Sequence, residues 1–431
     1  MKKEILKQVI KDFQNAELPR LFHRHLDIPF DTGKIITITG ARRSGKTYFL
    51  FQSIEKLLAR GCNKNRIIYI NFEDERFDFT SDELDLILQA YIELYPTVDL
   101  KDVHFFFDEI QNIDKWDLFV RRIHDSISKH IYITGSNSKL LSKEISTSLR
   151  GRALPFEMYP LNFKEYLEFN QVDTDYHSTK NRGTIRHYLE RFQQYGGFPE
   201  VLFLDDSLKD KTLQEYFNTM LFRDLVERYE IKQVHVLKYF LKRLFASITK
   251  SVSTNKIYNE LKSQGIKISK NILYDFMESV ENIYMVIVLK KYEAAVVKQE
   301  LAEKKVYAVD NGLINAVTYH FSEDKGKLLE NLIAVELMKC GRKIYFYKNA
   351  GECDFIWIDK DKILMAIQVC LTLKTPGTFQ REIRGLVLAC EKYGLKKGYI
   401  VTDDEEEVFT EKGIEINLVP AFKFLLELSI P

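Results

Sequence analysis

Gly40-Ala-Arg-Arg-Ser-Gly-Lys-Thr47 decides the fold. It follows the apolar run 34–39 and precedes a helix-like stretch at 48–60. In that strand–loop–helix setting the pattern GxxxxGK[ST] reads as a phosphate-binding loop. Gly40 and Gly45 let the backbone turn its N–H groups toward the β- and γ-phosphates, and the helix start adds a favourable dipole. Lys46 is expected on the phosphate oxygens and the Thr47 hydroxyl on Mg²⁺. The whole stretch of Gly40, Ala41, Arg42, Arg43, Ser44, Gly45, Lys46, Thr47 and Tyr48 is expected to contact ATP.

Residues 34–155 alternate short β-rich runs (34–39, 66–72, 103–107 and 130–134) with helical patterns. Such alternation predicts βαβ units and a parallel sheet buried on both faces. The third run, Val103-His-Phe-Phe-Phe-Asp108-Glu109, is apolar and ends in two carboxylates. It is expected beside the loop strand, with Asp108 on the Mg²⁺ water shell and Glu109 polarising the attacking water. The next run leads to Ser136-Asn137, side chains that suit either orienting water against the γ-phosphate or capping a helix. Arg150 and Arg152 follow. An arginine delivered to a neighbouring subunit's γ-phosphate would stabilise transition-state charge, and a solvated pair is the alternative. Glu73 and Asp74 are expected at the same sheet edge.

The 431 residues suggest roughly three domains. A hydrophobic content of 45% and a charged content of 29% describe an ordinary globular chain. With a net charge of +1, attraction to nucleic acid must come from local patches. Five scattered cysteines lack metal-ligand spacing and read as reduced core thiols. No apolar stretch is long enough for a signal peptide or a membrane span, so a cytoplasmic location is expected.

Residues 1–33 read as an amphipathic helix (Ile5, Val9, Ile10, Phe13) and a connector. Residues 156–230 are helical and aromatic, broken at Tyr195-Gly-Gly-Phe-Pro199. From 231 to 320 the order is helix, helix, turn, helix and two β-like runs (284–289 and 305–309), which is the order of a winged helix. Residues 321–431 read as a small α/β layer.

Taken together, GARRSGKT, YINFED, FFFDEIQ, ITGSNSKLL, LRGRALPFEMYPLNFKEYL and YGGFPE resemble the prokaryotic AAA+ ATPases that carry a C-terminal domain of unknown function. The resemblance covers almost the whole chain. It implies an α/β fold with a P-loop parallel-sheet AAA+ core (34–155), a helical lid (156–230), a winged helix (231–320) and a degenerate restriction-endonuclease-like module (321–431).

Residues 231–310 hold fourteen Lys/Arg against eight Asp/Glu, a local excess where a DNA reader would place it. Lys267, Ser269, Lys270 and Asn271 would start the recognition helix, and Lys290 and Lys291 would lie on the wing. These residue types suit phosphate contacts, and a merely solvated lysine surface is the alternative. In the C-terminal module Glu330 and Asp354 stand where a nuclease would hold Mg²⁺. Gln368 replaces the expected carboxylate and Cys370 the expected lysine, so cleavage is not expected. The expected protein is an ATP-hydrolysing oligomer, a hexameric ring, that remodels or translocates on DNA and has no membrane partner. The alternatives are a nucleotide-controlled signalling switch and, after it, an ATP-dependent nuclease.

Overall fold

Largely apolar runs give the first half of the chain its sheet. In the computed structural model, which describes residues 2–76, 79–136, 149–317, 325–360, 362–374 and 376–428, the chain forms two units, Met1–Tyr159 and Pro160–Pro431. The strands of the first unit are β1 (Ile35–Thr39), β2 (Ile67–Asn71), β3 (His104–Asp108), β4 (Ile131–Gly135) and β5 (Ala153–Glu157). All are parallel, in the order β2-β3-β4-β1-β5.

Alternate residues of each strand point to opposite faces. Ile35, Phe105, Phe107, Ile131 and Ile133 join one core with α1 (Lys2–Asn15), α3 (Asp85–Leu94) and α4 (Trp116–Ser126) through Leu6, Ile10, Tyr91, Phe119 and Ile123. Ile36, Ile38, Phe106 and Tyr132 face a second core with Phe49, Leu50, Ile54 and Leu57 of α2 (Lys46–Ala59). Each of these buried side chains is worth about 1.5–3 kcal/mol relative to exposure.

One expectation is corrected here. The strand ending in Asp108 does not lie beside the loop strand, because β4 is inserted between β3 and β1. A further strand, β5, was not expected. It places Pro155 opposite Thr37 on the sheet edge, where a missing N–H breaks no ladder.

The second unit opens with α5 (Phe163–Phe169), α6 (Thr179–Tyr195), α7 (Pro199–Leu202) and α8 (Asp206–Thr219), the last running into a π-helical turn at Met220–Glu227. Three helices with single apolar stripes follow: α9 (Val234–Ala246), α10 (Thr254–Ser263) and α11 (Lys270–Asn282). An antiparallel ribbon is built from β6 (Ser251–Val252), β7 (Val286–Lys290) and β8 (Lys304–Ala308), with β8 central. The short α12 (Val296–Leu301) interrupts the β7–β8 connection.

After α13 (Asn311–Val317) and α14 (Lys325–Lys339) comes a mixed six-stranded sheet. Its strands are β9 (Lys343–Lys348), β10 (Glu352–Asp359), β11 (Lys362–Val369), β12 (Lys397–Thr402), β13 (Glu407–Glu411) and β14 (Ile414–Pro420), in the order β13-β14-β12-β11-β10-β9. The helix α15 (Pro376–Tyr393) covers it with Leu386, Val387 and Cys390, and α16 (Ala421–Glu427) ends the described chain. All five cysteines are free thiols; Cys353, Cys370 and Cys390 are buried, whereas Cys62 and Cys340 are only half-buried. In the acidic run 403–407, Glu405 accepts hydrogen bonds from the Thr372 hydroxyl and from Leu373 N (3.0 Å). Among the described residues no helix is long and apolar enough to cross a membrane.

The break at Tyr195-Gly-Gly-Phe-Pro199 has a packing cause. Asp310 is buried and its carboxylate accepts from Gly197 N (2.7 Å) and Gly312 N (2.8 Å). Gly196, at φ 73°, passes so close that a Cβ there would lie 1.7 Å from Asp310 Oδ1. Burial pushes the Asp310 carboxyl up to about 6, against the two N–H donors and Lys339, which favour its charge. Gly196→Ala is therefore expected to cost about 2–4 kcal/mol of stability, from both the clash and the left-handed backbone. Gly183, exposed within α6 with open space at its Cβ, is the control. Gly183→Ala should stabilise by about 0.5–1 kcal/mol. Urea unfolding followed by circular dichroism separates the two signs.

Candidate nucleotide site

The turn that follows β1 is shaped by backbone as much as by side chains. Gly45 caps α2 at φ 97°, ψ 19°, and Arg43 also has a positive φ of 66°. Gly40 has a different reason to be glycine: a Cβ there would lie 1.9 Å from Met158 O, because Met158 N donates to Thr39 O at 2.7 Å. Its place is thus fixed by the close approach of the chain after β5. Arg24, in the connector between α1 and β1, donates to Ser44 O and Tyr159 O, each at 2.8 Å. Gln52 of α2 holds the Arg24 backbone in turn, accepting from its N at 2.8 Å and donating to its O at 3.0 Å.

Lys46 is 4% exposed, and its ammonium donates to the carbonyls of Gly40 and Ala41, both at 3.2 Å. It also lies 3.3 Å from Glu109 Oε1. Thr47 Oγ1 donates to Asp108 Oδ2 at 2.7 Å, and Tyr69 OH donates to the same oxygen at 3.0 Å. Thr134 Oγ1 donates to the other Asp108 oxygen and accepts from Glu109 N at 2.9 Å. β4 therefore supplies the clamp that joins the two acids, which explains why its insertion between β1 and β3 does not separate them from the loop.

Burial and the neighbouring Glu109 charge push the Asp108 carboxyl above the usual carboxylate range. Burial also acts upward on Glu109, but the Lys46 ammonium and the Gln111 amide (2.5 Å to Oε2) outweigh it and hold that carboxyl below its usual range. A half-buried hydroxyl and a buried carboxylate in contact, Thr47 and Asp108, form the hard-oxygen donor set that suits Mg²⁺. The buried hydroxyls of Ser44 and Ser136 lack a partner among the described residues, and phosphate oxygens would satisfy such groups.

The remaining residues are more dispersed. Arg42 turns to Glu73 (3.1 Å), and Tyr48 is exposed on the first turn of α2. Asn137 lies outside the described residues. Arg152 O accepts from Ile35 N at 2.8 Å, so Arg150 and Arg152 stand at the start of β1, the opposite sheet edge from the loop. Arg152 is held in a two-bond pair with Asp125 (2.7 and 2.9 Å), which lowers the Asp125 carboxyl to about 2. Arg150 is exposed. Arg24, Tyr69, Gln111 and Thr134 were assigned no role from the sequence; the last three stand inside the stretches YINFED, FFFDEIQ and ITGSNSKLL, but what they hold is visible only in space.

In the second unit Lys267 and Asn271 are exposed at the start of α11. Ser269 caps that helix, accepting from Ile272 N (3.5 Å), and Lys270 lies 5.3 Å over the Tyr258 ring. Lys290 pairs with Glu300 (2.6 Å) and Lys291 with Glu293 (2.8 Å). Glu330, Asp354, Gln368 and Cys370 do come together, in a cleft of about 910 Å³ that Lys305 and Glu382 also line. Gln368 accepts from Asp354 N (3.2 Å) and donates to Glu382. Burial pushes the Cys370 thiol up to about 12, so it stays neutral. Burial and Asp354 push Glu330 up to about 8, against Lys305 and the Tyr307 hydroxyl.

Comparison with known proteins agrees with this layout. Residues 32–167 match an AAA domain, and residues 186–324 and 325–422 match two domains of unknown function, DUF8612 and DUF4143. The uncharacterized protein MJ1544 of Methanocaldococcus jannaschii is 38% identical, over 99% of this chain and 96% of its own length. An uncharacterized protein of Haemophilus influenzae is 32% identical over 78% of this chain and 82% of its own. Among solved structures, the Aeropyrum pernix ORC1 protein in complex with DNA is 13% identical, covering 73% of this chain and 91% of its own, with a TM-score of 0.28. AMPPCP-bound DnaA from Aquifex aeolicus is 14% identical, covering 64% and 86%, with a TM-score of 0.25. Scores that low carry no inference about activity. The near-full-length match shows the family: this chain belongs with the uncharacterized protein MJ1544, and its residues 32–167 match an AAA domain.

Proposed function

We propose that the chain is an ATP-hydrolysing AAA+ protein that assembles as a ring, a hexamer, and acts on DNA. The observation that carries the reading is the Lys46–Glu109 ion pair (3.3 Å) beside the Thr47–Asp108 contact (2.7 Å) at one sheet edge. Phosphates entering the loop would draw the Lys46 ammonium away from Glu109 and from the two carbonyls. Glu109 then loses the charge that holds its proton affinity down and becomes a better base for the attacking water. Thr47 and Asp108 would hold Mg²⁺, which when bound neutralises phosphate charge. Ser136 and Ser44 offer hydroxyls to the phosphates and water. Arg150, exposed where Arg152 is committed to Asp125, is the better candidate to reach a neighbouring protomer's nucleotide.

We further read α9–α11 with the β6–β8 ribbon as a winged helix, the helices before it as the lid, and the C-terminal sheet as a restriction-endonuclease-like module that does not cut. On this reading Lys267, Lys270 and Asn271 would contact DNA. An ATPase indifferent to duplex, single-stranded and branched DNA would favour the signalling-switch reading instead.

Lys46→Ala removes charge-assisted bonds worth about 1.5–3 kcal/mol, so ATP affinity should fall roughly 10–100-fold in a fluorescent-nucleotide titration. Glu109→Gln should keep ATP bound while the hydrolysis rate drops about 10²–10⁴-fold. Unchanged turnover in Glu109→Gln would remove this residue from the chemistry. Reversing both charges at Lys267 and Lys270 should weaken DNA binding and flatten its log–log salt dependence by about 2, leaving basal ATPase intact. An unaltered salt slope would take α11 out of the interface.

A further inference from the structure

The cation missing from the C-terminal cleft is present, but it comes from a different strand. Lys305 sits on β8, the central strand of the ribbon, opposite Ser251 on one side and Leu289 on the other. It is 2% exposed. Its ammonium lies 2.8 Å from Glu352 Oε1, 3.0 Å from Asp354 Oδ1 and 3.4 Å from Glu330 Oε1. The carboxylates arrive from two directions, Glu330 from α14 and the other two from β10. Tyr307, next on the same face of β8, donates to Glu330 Oε1 at 2.8 Å, and Asp354 Oδ2 accepts from Val369 N at 3.0 Å. Glu330 and Asp354 are thus fixed by partners of their own, Glu352 reaches in from an exposed position, and one oxygen of each is turned to a single positive charge.

We infer that the Lys305 ammonium is the resident cation of this three-carboxylate site, and that a divalent metal ion enters only when that ammonium is removed. The spacing supports this. Oxygens 2.8–3.4 Å from a common centre suit N–H donors, whereas Mg²⁺ and Ca²⁺ require about 2.0–2.6 Å. Among the described residues no group of three or more His, Cys, Asp or Glu is set to hold a metal ion. The ammonium cannot swing aside as a surface lysine would, because its stem is buried and three carboxylates hold its end. The place that Cys370 leaves without a positive charge is filled from β8, and the same contact ties the ribbon to the C-terminal sheet. This inference goes beyond the ATPase reading and stands independently of it.

Removing the charge while keeping the stem, in Lys305→Met, leaves three carboxylates facing one another at the floor of an open cleft. Melting is then compared for the full chain, without nucleotide, with and without millimolar Mn²⁺. The wild type should be unmoved by Mn²⁺, whereas Lys305→Met should melt lower without metal and regain several degrees with it. That gain should vanish in the Lys305→Met/Asp354→Asn double variant, which separates this site from any metal at Thr47 and Asp108. If Lys305→Met does not fold alone, refolding in Mn²⁺ is the reading: recovery supports the inference, and continued failure overturns it. It is also overturned if Lys305→Met ignores Mn²⁺, or if the wild type binds Mn²⁺ in a way that Asp354→Asn abolishes.

Discussion

A lysine and a glutamate share a nearly waterless pocket at the end of a parallel sheet, and the first unit is arranged to keep them there. Lys46 and Glu109 are 4% and 8% exposed. A buried charge without a partner is costly by several kcal/mol, so each enforces the presence of the other. Thr134, Tyr69 and Gln111 then fix the acids so that they meet the loop at set distances. The pair satisfies the protein only until something more anionic than a carboxylate enters the loop. On the proposed reading, its geometry would couple phosphate binding to the release of a base.

The second unit uses the same physics to the opposite end. Lys305 also faces carboxylates in a buried setting, but it is anchored in a central strand and the acids around it are tied by Tyr307 and Val369 N. At Lys46 the lysine follows a glycine turn and heads a helix, where incoming phosphate oxygens can compete for it. One arrangement is exchangeable and the other is closed. The difference lies in the partners, since Lys46 meets one carboxylate and two carbonyls whereas Lys305 meets three carboxylates.

The sequence made the loop, the two acids and four of the five core strands legible, because a sheet covered on both faces must be apolar at most positions. It left β5 hidden, since an edge strand tolerates Pro155 and alternates its exposure. It misplaced β3 beside β1 because neighbour order is set by crossovers, which leave no local pattern. Gly40 showed a motif and concealed its cause, the passage of Met158 O. Lys305 was least legible of all. In a stretch rich in lysine it reads as one more surface charge, and its partners lie 25–49 residues away. The cleft residues Glu330, Asp354, Gln368 and Cys370 were legible as a group but not as a balanced one.

That misreading changes the electrostatics of the unit. The fourteen basic residues of 231–310 looked like one patch, yet Lys305 is internal, Arg243 is paired with Glu260, Lys291 with Glu293, and both Lys290 and Lys304 lean on Glu300. The ribbon is thereby close to neutral. The other nine, Lys232, Lys238, Lys242, Lys250, Lys256, Lys262, Lys267, Lys270 and Lys298, are exposed and make no ion pair among the described residues, and Lys262, Lys267 and Lys270 gather about the turn between α10 and α11. Beyond that turn the outer face of α11 carries Asp275 and Glu278, which would repel a phosphate backbone. A polyanion should therefore meet this unit at the helix start and stay clear of the rest of α11. Such a contact favours grip on the backbone over reading of base sequence.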